Sequence, residues 1–261
     1  DFKLRASYGI LGNQNIGLYP YQSILELTGA YSYDNATLIP GVAQLSLANQ
    51  NIKWETTKST DVGVDLALFN GLTITADWYR KVTSDILRQS QLTDLVGLSA
   101  PYVNRGVMEN SGIELNVAYR NTVKSGAMEG LAYDFGVMFD KFKNKLVTFG
   151  AEEISGYYMK REGLPYDSFY MLEMDGIFQS QTEIDNAPKQ FNDKTLPGDI
   201  KYKDQNNDNK IDNSDRIIIG NPFPKFEYSF NLGASWKGID ISAFFQGVYK
   251  RDVYVNNWGT I

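Results

Sequence analysis

Residues 204–215 read Asp204-Gln205-Asn206-Asn207-Asp208-Asn209-Lys210-Ile211-Asp212-Asn213-Ser214-Asp215. Oxygen-bearing side chains stand at positions 1, 3, 5, 9 and 12 of this run: Asp204, Asn206, Asp208, Asp212 and Asp215. Lys210, at position 7, would offer its backbone carbonyl. This is the ligand spacing of an EF-hand-type loop, in which hard oxygen donors wrap a single Ca²⁺. Two departures shape the expectation. Asn209 replaces the glycine of position 6, although Asn also tolerates the left-handed turn needed there. Asp215 replaces the bidentate Glu of position 12 and reaches less far. The flanks, Ile200-Lys201-Tyr202-Lys203 and Ile217-Ile218-Ile219, are extended in character, so a structural calcium staple is expected rather than a sensor between paired helices. The competing reading is a solvated acidic loop with chance spacing.

Other chemistries fall away on composition. The 261 residues contain no Cys and no His, which excludes disulfides, thiolate or imidazole metal sites, and Cys- or His-based catalysis. A net charge of −6 argues against nucleic acid. Paired carboxylates could still hydrolyse glycosides. No pair stands out, however, and Glu152-Glu153 is expected to be a solvated loop pair. The reading is of a protein that is not an enzyme.

The elements that must position these residues are strands. Phe2, Leu4, Ala6, Tyr8 and Ile10 alternate with Lys3, Arg5, Ser7 and Gly9. The same period of two recurs through Val62–Leu68, Leu72–Trp78, Ile113–Tyr119, Leu131–Phe139, Phe226–Trp236 and Ile239–Phe245. That predicts seven strands of about ten residues, the length of a tilted membrane-crossing strand. Short turns are expected at Asn70-Gly71 (a type I′ hairpin signal), near 121–130 and at Lys237-Gly238. Long connections are expected over about 12–55, 83–104 and 145–222.

Short turns at one end and long loops at the other are the layout of a transmembrane β-barrel. Phe2, Tyr119, Tyr133 and Trp236 would form an aromatic girdle at the short-turn end, with Tyr8, Trp78, Phe226 and Tyr228 toward the loops. The charged face, with Lys3, Arg5, Asp61, Asp65, Asp77, Glu114, Arg120, Asp134, Asp140, Glu227 and Asp240, suits a wet lumen. It equally suits the solvent side of a soluble, calcium-stabilised β-sandwich that binds glycans. In that alternative Tyr157, Tyr158, Tyr166 and Tyr170 could stack on sugar rings, although loop packing is the favoured reading for them.

Several longer runs decide between the two. LRASYGILGNQNIG (4–17), NQNIKWETT (49–57), DVGVDLALFNGLTITADWYRK (61–81), PYVNRGVMENSGIELNVAYRN (101–121), SFYMLEMDGIFQSQTEI (168–184) and the stretch 197–247 resemble, in order, the SusC/RagA family of TonB-linked outer-membrane transporters. The resemblance implies an all-β fold: an antiparallel up-and-down transmembrane β-barrel section, about seven strands of a barrel of about 22, with long extracellular loops. Region 145–222, containing the calcium-type loop 204–215, would lie at the cell surface of a Bacteroidetes-type bacterium. Residues 1–261 would be a C-terminal-side section of the barrel, without the plug and the closing strands, and 249–261 would be loop. The resemblance further implies import of glycan fragments or peptides, a SusD-like surface lipoprotein as partner, TonB acting through N-terminal parts, and outer-membrane lipid around the wall.

Overall fold

The structure is a computed structural model and describes residues 1–32, 38–192 and 194–255. Seven long strands form one antiparallel sheet: β1 (Phe2–Asn13), β2 (Glu55–Leu68), β3 (Leu72–Ser84), β4 (Val107–Thr122), β5 (Ala132–Thr148), β6 (Phe226–Trp236) and β7 (Ile239–Tyr249). Each pairs with its neighbours in chain order, so β1 and β7 are the edges of an up-and-down wall. All seven expected strands are present, and β4 and β5 run well past ten residues toward the loops. Residues 250–255 have no regular structure, and the expected loop at 256–261 lies outside the described residues.

Turn chemistry follows the sequence closely, with one shift. Trp236 pairs with Ile239, and Lys237 (φ 49°) and Gly238 (φ 80°) supply the two left-handed residues of a type I′ turn. In the hairpin between β2 and β3 the left-handed pair is Phe69 (φ 49°) and Asn70 (φ 45°), one residue earlier than expected. Gly71 follows at φ 152°, where a Cβ would strike the Arg120 carbonyl.

Register divides the wall into two faces, since residues directly opposite in an antiparallel pair lie on the same side. One row reads Phe2, Leu66, Ile74, Val117, Val137, Phe230 and Phe245. Rows above and below it are similarly apolar; many side chains of this face are exposed, such as Leu115 (39%) and Ile241 (67%), and the others, such as Val137 and Phe139, are half-buried. Among the described residues no second layer covers this face. A sandwich would need one, so the soluble alternative fails here. Among the described residues the large buried apolar side chains, Leu146, Phe149, Met159, Phe169, Phe178 and Ile211, all lie at or beyond the loop end of the sheet. The chain accordingly exposes 18354 Å², against about 11,500 Å² for a compact monomer of this mass.

The apolar band is also slanted. Moving from the loop end into the sheet, the last outward-facing cation is Lys58 on β2, Arg80 on β3 and Lys141 on β5. Counted in register rows, that boundary drops by two rows over three strand spacings. At ~6.8 Å per row and ~4.8 Å per strand, the slope is roughly 40°, the tilt of strands in a closed barrel. At the other end Tyr119, Tyr133 and Trp236 step down in the same direction, one row per strand. On β5 the apolar side runs from Tyr133 to Lys141, about 27 Å along the strand and about 20 Å along the membrane normal.

The long connections carry structure that the sequence pattern missed. Between β5 and β6 a four-stranded sheet (Glu153–Ser155, Tyr158–Lys160, Ser168–Leu172, Arg216–Gly220), a ribbon (Met174–Ile177 with Ile200–Tyr202) and a short helix (Gln181–Asp185, capped by Ser180) form a module with its own core. Arg88, from the β3–β4 connection, clamps this module. Its guanidinium lies 3.8 Å from the Phe149 ring centroid and 3.3 Å from Glu153. The β1–β2 connection joins in turn through Leu47 N to Ser99 O (3.0 Å) and through Asn104, whose side chain bonds both backbone groups of Lys53.

Val137→Arg, at mid-height on the outward face, should destabilise the membrane-inserted barrel by about 2–4 kcal/mol. Asn116→Arg, one residue away in register on the inward face, should stay within roughly 0.5 kcal/mol. Denaturant titration of the intact protein in vesicles checks both, and equal effects would contradict the assignment of faces.

Candidate functional site

The inward face carries a row of charge built by register. Arg5, Gly63, Asp77, Glu114, Asp140 and Glu227 stand opposite one another across six consecutive strands. Arg5 donates from Nε to Asp65 (2.8 Å) and reaches over β2 to Asp77, with Nη2 at 2.8 Å from Oδ1. It can do so because residue 63 is glycine: a Cβ there would occupy the space of the ion pair itself. Glu114, Asp140 and Glu227 make no ion pair among the described residues, and Asp140 Oδ1 is screened from solvent without a hydrogen-bond partner. The concave surface forms a groove of about 860 Å³, lined by these carboxylates with Asn116, Ser229 and Gln246. Such a wall repels anions and offers acceptors to hydroxyl or amide donors.

The acidic loop closes on itself. The Asp204 carboxylate accepts from the backbone N–H of Asn207 (2.7 Å) and of Asn209 (2.8 Å). Asn206 accepts from Asp208 N, and Asp208 from Lys210 N, each at 2.9 Å. Asp215 is fully buried and accepts from Gln205 N (2.9 Å) and Asp212 N (2.8 Å). Asn209 has φ 64°, the left-handed turn expected at position 6. Ile211 sits in the module core, and its N–H bonds Lys189 O (2.8 Å), which fastens the loop to its neighbours. The flanks are strands, Ile200–Tyr202 and Arg216–Gly220, as expected.

One feature was invisible in the spacing. The Lys210 amine, expected to be a bystander, sits 2.7 Å from Asp212. Its charge, together with Ser214, holds the Asp212 carboxyl well below the usual carboxylate range. Among the described residues no three carboxylates gather as a ready-made metal cluster, and the loop's own N–H groups engage the oxygens of Asp204, Asp208 and Asp215.

The remaining candidates are structural. Glu152 pairs with Arg161 (2.8 Å) and Glu153 with Arg88, so the two side chains serve different partners. Tyr157 packs on Tyr254 at 5.1 Å, Tyr158 lies on Phe169 at 5.5 Å, and Tyr166 faces the Lys160 amine at 5.3 Å. The carboxylate row is the feature that sequence reading did not assemble. Its members were visible as inward-facing residues, but their alignment needs the register.

With this geometry in view, the family described as TonB dependent receptor-like, beta-barrel matches residues 1–260. The chain belongs to this family. TonB-dependent receptor P3 of Formosa agariphila is 32% identical over 94% of the chain and 25% of its own length. TonB-dependent receptor SusC of Bacteroides thetaiotaomicron is 23% identical over 90% of the chain and 25% of its own length. The RagAB peptide importer in its closed-closed state has the same fold, with a TM-score of 0.71 at 23% identity, over 95% of the chain and 26% of that structure. The chain thus spans about a quarter of the length of the relatives it matches. These are names of receptors and importers rather than of enzymes.

Proposed function

We propose that this chain is a section of the barrel wall of an outer-membrane importer, driven through TonB and working with a SusD-like surface lipoprotein. Its long connections, 145–222 among them, would face the cell exterior, and the inward carboxylate row would line the passage. The observation that carries this reading is the uncovered apolar face, bounded on a 40° slant and backed by a charged concave face. A transport wall needs both faces at once. The likeness to the RagAB peptide importer supports peptides as cargo, with glycan fragments as the other cargo the sequence resemblance implies. Uptake of labelled oligosaccharides and labelled peptides, tested in parallel, should require both the intact receptor and TonB. Uptake that survives loss of TonB would contradict the proposal.

We further propose that loop 204–215 takes one structural Ca²⁺ through Asp204, Asn206, Asp208, the Lys210 carbonyl, Asp212 and Asp215. The ligand spacing and the left-handed Asn209 support it. For the ion to seat, the Lys210 amine must release Asp212. Calorimetry on the intact receptor should therefore show one calcium site, weakened roughly tenfold or more by Asp204→Asn and tightened by Lys210→Gln. No calcium heat in either the native protein or Lys210→Gln would end the idea.

A further inference from the structure

The outward face changes character abruptly at its loop end. Below that line, every outward position of the seven strands down to the turns is uncharged. Above it stand Lys58 on β2, Arg80 on β3 and Lys141, Lys143 and Lys145 on β5, with a single carboxylate, Glu109 on β4. Glu109 is committed to Arg80 at 2.6 Å. The four lysines are exposed, and none makes an ion pair among the described residues. A chain of net charge −6 thus carries a local surplus of four positive charges on one patch. By register the patch spans three strand spacings, about 14 Å, and Lys141, Lys143 and Lys145 rise through it in steps of ~6.8 Å.

Position makes this more than a basic patch. The lowest cation of each strand, Lys58 on β2, Arg80 on β3 and Lys141 on β5, continues directly from the lipid-facing belt and follows its slant, so these three lie along one level of the membrane, and Lys143 and Lys145 stand above it on β5. That level is the boundary between hydrocarbon and headgroups, on the side of the long loops. Long Lys stems can run along apolar surface while their ammonium groups reach the headgroup layer.

We propose that Lys58, Lys141, Lys143 and Lys145 form an outer-wall binding site for the anionic phosphate headgroups of the surrounding leaflet. The proposal rests on the barrel reading above. Cations at this depth are favoured by a negatively charged membrane surface, and lysine binds phosphate as a point charge without the fork geometry of arginine. Bound headgroups would fix the height of the wall in the bilayer at the end where its loop module is attached.

The test uses the intact receptor reconstituted with phosphatidylglycerol or with phosphatidylcholine, and lipid retained after mild detergent extraction is counted by native mass spectrometry. Native protein should retain phosphatidylglycerol in preference to phosphatidylcholine. Replacing all four lysines with Gln should cut that retention by roughly tenfold or more, while four Lys→Arg changes should preserve it. Membrane insertion, followed by protease protection, should be the same in all three. Equal retention by the native and Gln proteins would overturn the proposal. So would displacement of the lipid by inorganic phosphate at equal concentration, or a Gln protein that loses its lipoprotein partner while retaining lipid as the native protein does. Failure of the native protein to insert would instead overturn the barrel reading beneath it.

Discussion

Hydrocarbon offers no hydrogen bonds, so a chain that crosses it must satisfy its backbone internally while presenting apolar side chains outward. In this protein that constraint produces the period of two, the unbroken antiparallel ladder from β1 to β7 and the division into two unlike faces. It also sets the slant. Strands that tilt by roughly 40° keep a level membrane boundary only if the polar transition slips along successive strands. Lys58, Arg80 and Lys141 record that slip on one side, and Tyr119, Tyr133 and Trp236 on the other.

The same constraint moves the hydrophobic core. A wall whose apolar side faces lipid cannot also bury that side against protein, so ordinary packing appears only where the chain leaves the membrane. Leu146 marks the change: it follows the outward Lys145 on β5 and is fully buried beneath the loop module. From there Phe149, Met159, Phe169, Phe178 and Ile211 give the long β5–β6 connection a core, and Arg88 ties a second connection onto it. The acidic loop is held by this module through Ile211 and the buried Asp215.

The wall was legible in the sequence because each strand repeats its alternation four to six times, six in Phe226–Trp236. The loop module was not, because strands such as Glu153–Ser155 or Tyr158–Lys160 are too short for any period to register. The calcium spacing of Asp204 to Asp215 was plain, whereas the Lys210–Asp212 ion pair depends on a side-chain direction that spacing does not encode. The Leu68–Leu72 pairing leaves three residues in the loop between β2 and β3, Phe69 to Gly71, where a two-residue Asn70-Gly71 turn was expected, and the left-handed pair falls at Phe69 and Asn70. Arg5 and Asp77 lie 72 residues apart, and only register across Gly63 brings them together.

The central claim is that odd-numbered positions of β5 face lipid and even-numbered ones face water, with the boundary at Lys141. The chain has no cysteine of its own, so single cysteines at 135, 137, 138, 139, 140 and 141 in the intact receptor give an unmixed signal from this section. Labelling with a water-soluble maleimide against quenching of a bilayer-embedded probe reads each position directly. The account predicts lipid exposure at 135, 137 and 139, water exposure at 138 and 140, and a switch to water at 141. Uniform labelling from water along the whole strand would contradict it.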